Sequence, residues 1–479
     1  MPDDIERAIA ESNRGLILAP AGCGKTELIV KAVKADDGHG RQLILTHTNA
    51  GVRAILDKLR KHGIPSQAYR VETIDGWAMK YARAYPSLSG WIDGEDGPVG
   101  VYDWNLVRGA ATQCLSKNSI RQVVKNSYSG IYVDEYQDCT VPQHNLILML
   151  AELLPCRIAG DPLQGIFDFD GAIDWSEDVG PNFPLLCKLQ EPWRWKENPQ
   201  LGEWLQKART LIASGGEIDL SAGPVSWALH EPRTAISKCL YFRVNPGESV
   251  VVMIGKVENQ SRRFVASLRG RYTHMEVVEC KPLLETAYKL DLLDGPARAV
   301  VVIDFACTCM SGVKPVLKKV REVFENSAIP KLSSRNKHKP VLEALIEVTQ
   351  NRSGAAILQA LNQIEALPDR IIHSRELWQE MKKVLQESNL VNTPLAELAR
   401  KRRENTRYVG RRVDRLTVSR TLLVKGLEFD HAVVLNASSK DFDAKNLYVA
   451  LTRGSKSLTI LSESPKIHKA SPSIDPSYL

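Results

Sequence analysis

Residues 19 to 26 read Ala19-Pro20-Ala21-Gly22-Cys23-Gly24-Lys25-Thr26. Glycines at 22 and 24 let backbone N–H groups turn inward around phosphate oxygens. Lys25 has the reach for the β- and γ-phosphates, and Thr26 offers a hydroxyl to Mg²⁺ at the start of a helix. This is the Walker A spacing, with Ala19 where the general pattern prefers glycine. Its context agrees, because an apolar run over Gly15 to Leu18 leads into the loop and a helix pattern from Thr26 to Lys34 leads out. Nucleotide chemistry also needs carboxylates to hold the metal and poise water. Asp134 and Glu135, directly after the apolar run Ile131-Tyr132-Val133, supply them. Asp134 would hold Mg²⁺ and Glu135 would act as general base on the attacking water. Alone, an acidic pair reads as a solvated turn; beside the loop it completes a site for ATP and Mg²⁺.

The elements that must position these residues are legible as short apolar runs. They recur at Gln42 to Leu45, Cys156 to Ala159, Val250 to Ile254 and Ala432 to Leu435, with helical stretches between them. Such alternation predicts an α/β fold with parallel sheets covered by helices on both faces. Residues 84 to 100, rich in glycine, proline and acidic side chains, read as a surface excursion within a small insertion over 79–125. From about 315 to 405 the pattern becomes leucine-spaced charged helix, as in VLEALIEVTQ and LWQEMKKVLQES, which reads as a helical insertion.

At 479 residues the chain predicts three or four structural units. Hydrophobic residues at 43% and charged residues at 25% are the ordinary balance for a chain that can bury large cores, so disorder is not the default expectation. A net charge of +7 favours a polyanionic partner without requiring one. No apolar run is long enough to span a bilayer and the acidic start lacks a secretory pattern, so a cytoplasmic protein without membrane contact is expected. The nine cysteines are scattered without a CxxC pair and read as reduced thiols.

The string VDEYQD at 133–138 resembles motif II of UvrD/PcrA/Rep-like superfamily 1 helicases, and further likenesses follow in the family's order. LTHTNAGVRAIL at 45–56 resembles motif Ia, and ETIDGWA at 72–78 the short DNA-contacting motif after it. AGDPLQGIFDFDGA at 159–172 resembles motif III, QEPWRW at 190–195 motif IV, LLVKGLEFD at 422–430 motif V and NLYVALTRGSKSLTIL at 446–461 motif VI. The resemblance implies two RecA-like P-loop lobes. The first would span 1–78 and 126–195, the second 196–275 and 411–479, with a small accessory insertion at 79–125 and a reduced helical one at 276–410.

It also implies roles. Gln164 would report on the γ-phosphate, and Arg194 and Arg453 would be arginine fingers closing on the transferring phosphoryl, though each arginine alone reads as a surface ion pair. Glu428 would contact the nucleotide sugar, with Gly426 permitting close backbone approach. On the DNA side the expected contacts are Thr46, Thr48, Asn49 and Thr73, small polar groups suited to phosphate oxygens, and the aromatics Phe167 and Phe169. Trp77 and Trp193 would extend that stacking platform or fill the core. A basic run from Lys401 to Arg415 reads equally as a backbone contact and as a solvated helix end.

The chain departs from the family in three places. The first 14 residues hold no adenine-recognising glutamine, Asp170 stands where relatives carry a basic residue, and Pro192 replaces a common asparagine. The resemblance implies an ATP-dependent single-stranded DNA translocase or helicase, moving 3′ to 5′ on single-stranded or tailed duplex DNA. Compact UvrD-like proteins also occur as the helicase-like subunit beside OLD-type nucleases in Gabija-type phage defence. The alternative is therefore a nucleotide-gated, DNA-sensing subunit of a partner nuclease that unwinds little. A small-molecule kinase conflicts with VDEYQD and the two distant arginine motifs.

Overall fold

The structure is a computed structural model and describes residues 2–36, 40–91, 103–166, 171, 173–255, 258–275, 281–333, 338–391, 393–409 and 413–479. The first sheet comprises β1 (Arg14–Leu18), β2 (Gln42–Thr46), β3 (Tyr69–Thr73), β4 (Gly130–Val133), β5 (Cys156–Gly160) and β6 (Leu185–Lys188). They lie in the order β3-β2-β4-β5-β1-β6, every neighbouring pair parallel. Apart from Arg14, every residue of β1, β2, β4 and β5 is buried. Unbroken apolar runs do this because helices cover both faces of a parallel sheet.

Side chains alternate between the two helical layers with the period of two that strands impose. Leu16, Leu18, Leu43, Leu45, Ile131, Val133 and Ile158 pack with Ile74, Trp77, Leu146 and Leu150 on one face. Ile17, Ile44, Tyr132 and Ala159 pack with Leu28, Ile29, Ile55 and Leu59 on the other. The register pairs Leu18 with Gly160 and Val133 with Ile158, so β1, β5 and β4 end side by side. In open parallel sheets ligands bind beyond such carboxyl ends. Here these ends carry the 19–26 loop, Asp161 to Gln164, and Asp134 with Glu135.

Where it is described, the segment expected as a small accessory insertion over 79–125 packs onto the core of this lobe. The helices Trp104–Leu115 and Asn118–Ser127 each present one apolar stripe. Val107, Ala111, Cys114, Ile120 and Val124 share the core of Leu16, Leu43 and Ile131. Residues 92–102, which include most of the predicted surface excursion, lie outside the described residues.

Beyond β6 the chain forms β7 (Glu217–Asp219), β8 (Ser226–Leu229), β9 (Val250–Ile254), β10 (Thr273–His274), β11 (Met310–Ser311), β12 (Ile371–Ile372), β13 (Leu416–Ser419), β14 (Phe429–Leu435), β15 (Gly454–Ser462) and β16 (Lys466–His468). The second large sheet is again parallel, ordered β10-β13-β9-β14-β15-β8. β7 with β16 and β11 with β12 form small antiparallel pairs.

The helices between Lys281 and Val409 have a core of their own, from Leu283 and Phe305 to Leu385 and Ala399. At its centre Trp378 is fully buried, stacks 5.7 Å from Phe305 and donates its indole N–H to Glu365 at 2.9 Å. Trp378→Ala is expected to cost this unit about 3–5 kcal/mol, the usual penalty for truncating a buried tryptophan. Limited proteolysis should then open the helical unit first while nucleotide binding at the 19–26 loop persists; coincident loss of both would mean that the unit is not a separate core.

Candidate nucleotide site between the lobes

The 19–26 loop begins with Ala19 donating its N–H to the Gly160 carbonyl at 3.1 Å, which fixes it to the end of β5. Gly22 and Gly24 have φ of 73° and 86°, the left-handed region that glycine enters without strain. A Cβ at Gly22 would also sit 2.7 Å from the Trp195 ring. Gly24 opens the helix Lys25–Ala35, and no side chain caps that helix start. Its first N–H groups are left to a ligand, and the helix dipole favours an anion there. Lys25 is buried and donates to the Ala19 carbonyl at 3.1 Å, which folds its ammonium back over the loop.

Thr26 donates its hydroxyl to Asp134 Oδ2 at 2.7 Å. Glu135, with φ 58°, turns back so that its own N–H reaches Asp134 Oδ1 at 3.0 Å, and the Gln137 amide donates to its carboxylate. Burial, with Glu135 alongside, pushes the Asp134 carboxyl above the usual range. Burial pushes Glu135 the same way, but the Lys25 and Lys425 ammoniums and the Gln137 amide outweigh it and hold Glu135 below that range. A hydroxyl and a carboxylate so close, with a second carboxylate beside them, form the hard oxygen set that Mg²⁺ takes when phosphates complete its shell. Among the described residues no group of three or more His, Cys, Asp or Glu forms an all-protein metal cage.

The second lobe faces this site. Arg453 is buried, with its guanidinium donating to the carbonyls of Val449 at 2.8 Å and Leu427 at 3.1 Å and to the Thr452 hydroxyl at 2.8 Å. Burial and the nearby Arg194 lower its proton affinity while Glu135 across the cleft raises it. Arg194 donates to Glu428 at 2.9 Å and to the Thr452 carbonyl at 2.8 Å, so Glu428 is held in an ion pair here. Gly426 has φ 75°.

Gln164 is buried and donates to Asp161 at 3.0 Å. Three further side chains bridge the cleft: Lys425 pairs with Asp138, Arg209 with Asp161 at 2.8 Å, and the Tyr448 hydroxyl accepts the Ala21 N–H at 3.1 Å. Sequence reasoning did not single these out. Lys425 and Tyr448 lay inside strings already quoted, whereas Arg209 sits in an ordinary helical stretch with no motif to mark it.

One of the expected aromatic contacts does not hold. Trp77 is fully buried and stacked on Tyr81 at 4.2 Å, so it fills the core and cannot stack on a DNA base. Trp193 is 48% exposed and lies at the mouth of the phosphate loop, its ring 3.6 Å from where a Gly24 Cβ would be. Lys196 packs over the indole at 3.3 Å. Its position suits a nucleotide base better than a DNA platform. Phe167 and Phe169 lie outside the described residues.

On the proposed DNA side, Thr46 is buried at the end of β2 and does not face solvent. Thr48 and Thr73 are N-caps, accepting from Gly51 and Gly76 at 3.0 Å each, and Asn49 begins the first of the two capped helices. These helix starts follow neighbouring parallel strands, β2 and β3. In the basic run, Lys401 pairs with Glu397, Arg402 with Glu380 and Glu387, and Arg403 with Glu376, which favours the structural reading for these members. Arg411 and Arg412 lie outside the described residues.

The family described as UvrD/REP helicase N-terminal domain matches residues 98–174, a stretch holding Asp134, Glu135 and Gln164. Gabija protein GajB of Bacillus cereus (strain VD045) is 27% identical over 202 residues, which is 35% of this chain and 40% of that protein. The match thus spans less than half of the relative's length. The crystal structure of Pif1 helicase from Candida albicans aligns with 97% of this chain and 94% of its own at 11% identity, with a TM-score of 0.40. No helix among the described residues is long and apolar enough to cross a membrane.

If Trp193 packs against the base, Trp193→Ala should weaken binding of a fluorescent ATP analogue by roughly 1–3 kcal/mol, the scale of aromatic base stacking. Stimulation of the bound enzyme by DNA should be unaffected. Unchanged analogue affinity would return Trp193 to the DNA side.

Proposed function

Taking the chain as a UvrD-like superfamily 1 helicase, we propose that it is an ATP-driven motor on single-stranded DNA, stepping 3′ to 5′ as its lobes close on and release nucleotide. The observation that carries this reading is the juxtaposition at the cleft. An uncapped helix start with Lys25 and Thr26 abuts Asp134, Arg194 stands beside the phosphate loop with its guanidinium reaching the second lobe, and Arg453 approaches from that lobe.

In this reading the backbone from Gly22 to Thr26 and the Lys25 ammonium hold the β- and γ-phosphates. Thr26 and Asp134 hold Mg²⁺, which screens the phosphate charge. Glu135, kept ionised by Lys25 and Lys425, takes a proton from the attacking water. Gln164 orients that water or the γ-phosphate. Arg194 and Arg453 stabilise the charge on the transferring group as the lobes close. Arg194 would exchange Glu428 for phosphate, which leaves Glu428 available to the ribose beside Gly426. Single-stranded DNA would run over the capped helix starts after β2 and β3, with backbone N–H groups contacting phosphates without reading sequence.

The partial likeness to Gabija protein GajB supports a second reading, in which this chain is a nucleotide-gated subunit of a defence complex with a partner nuclease. The two differ in turnover. A motor hydrolyses ATP many times per DNA encounter and displaces a tailed strand, whereas a gate changes conformation and hydrolyses little.

Steady-state ATP hydrolysis by the purified chain, with and without single-stranded DNA, separates them. Strong DNA stimulation, abolished in Lys25→Ala and Glu135→Gln, is the expected result, with Glu135→Gln still binding nucleotide. Normal turnover in either variant would overturn the site assignment. A wild type as silent as Glu135→Gln would overturn the motor in favour of the gate.

A further inference from the structure

We infer that Arg209, a residue outside every recognised motif, is the positioning residue through which the second lobe sets the side chains that act on the γ-phosphate; the inference rests on the nucleotide-motor reading above. Arg209 lies on the helix Pro199–Ser214, whose Leu201, Leu205, Ala208 and Ile212 are buried with Leu447 and Leu451 of the second lobe in a core that Ala21 and Leu163 of the first lobe also join. The side chain leaves that core and crosses the cleft. Its Nη2 donates to Asp161 Oδ1 at 2.8 Å and its Nη1 to the Leu479 carbonyl at 3.0 Å. The guanidinium also lies 5.7 Å from the centre of the Tyr448 ring. Its Nε is buried with no partner among the described residues, so packing alone does not account for an arginine here.

What the guanidinium holds gives it leverage. The Asp161 side chain has no solvent exposure and that of Arg209 has 11%. A carboxylate so placed depends on its cation, because removing one partner strands a buried charge. The same carboxylate fixes the turn after β5, since Oδ1 accepts the Leu163 N–H at 3.2 Å and Oδ2 accepts the Gln164 side-chain amide at 3.0 Å. From the Asp161 main chain a second path runs to the base. Its N–H donates to Gln137 Oε1 at 2.9 Å, and the Gln137 amide donates to Glu135.

A third path reaches the phosphate loop, because Tyr448, beneath the guanidinium, accepts the Ala21 N–H. One second-lobe side chain is therefore linked through the Asp161 carboxylate to the γ-phosphate glutamine and, through the Asp161 main-chain N–H and Gln137, to the general base. It moves with its own lobe. Closing the lobes brings it onto Asp161 and aligns both; opening them withdraws it.

Positioning differs from simple clamping in what it costs. Arg209→Met should lower DNA-stimulated kcat by about 10- to 100-fold, the scale for a misplaced reacting group, and leave the affinity for a fluorescent ATP analogue unchanged. Arg209→Lys, which keeps a cation within reach of Asp161, should recover much of the loss. Asp161→Asn should lower kcat as Arg209→Met does, and the double variant should be no worse than the poorer single one.

Wild-type kcat in Arg209→Met, or kcat and affinity falling together with additive losses in the double variant, would overturn the inference and leave the motor reading intact. An Arg209→Met chain that fails to fold leaves the decision to Arg209→Lys, where wild-type folding with no recovery of turnover relative to Asp161→Asn would count against positioning by charge. A wild type without ATP turnover would overturn the motor reading itself, and this inference with it.

Discussion

Charges can be kept away from water only when each finds a partner, and the cleft of this protein is organised by that requirement. The first lobe brings carboxylates to the carboxyl ends of β4 and β5, at Asp134, Glu135, Asp138 and Asp161, three of them almost wholly buried. Lys25 is the cation it supplies in their midst. The remaining compensation comes from the other lobe, with Lys425 on Asp138, Arg209 on Asp161 and the field of Arg453 on Glu135. With the lobes together, each buried carboxylate is set against a cation, the condition on which a charge can stay out of water. A triphosphate entering this cleft adds negative charge where Lys25, Arg194 and Arg453 already converge. The electrostatics that hold the lobes together can then also respond to the nucleotide.

The two parallel sheets follow from simple local rules. Runs such as Leu16-Ile17-Leu18 and Val250-Val251-Val252 are apolar on both faces, and only a sheet buried on both faces accepts them. For that reason β1, β2, β4, β5, β9 and most of β14 were legible in the sequence. The edge strands were not. β6 and β8 have partly exposed ends, and β3 alternates like many surface segments, so their sequences lack the continuous signal. How the accessory segment over 79–125 packs was not legible, because polar loops and amphipathic helices look alike whether they lean on the main core or form their own.

The phosphate loop was legible because its chemistry demands particular residues in consecutive order. Positions that act through space were not. Arg209 reaches Asp161 across 48 residues of chain, and nothing in the sequence around either marks the pairing. Trp77 and Trp193 illustrate the same limit, since both are tryptophans beside recognised motifs. Only the packing, one ring under Tyr81 and the other at the loop mouth, separates core from surface.

The last residues of the chain carry a mechanical consequence. Beyond the second sheet the backbone returns to the first lobe, where Tyr478 packs on Trp175 at 5.9 Å and Lys188 donates to the Ser477 carbonyl at 2.6 Å. Lys188 is also the last residue of β6, from which the chain first leaves for the second lobe. The exit of the chain from the first lobe and its return thus lie next to each other, in addition to the side-chain bridges across the cleft. Where the lobes part, two adjacent attachments would favour rotation about the line through them, as in a door, over sliding. A swing about that line changes the gap at the far side of the cleft most and at the attachments least. Small changes in the nucleotide site would then be geared up into larger displacements along the surface assigned to DNA.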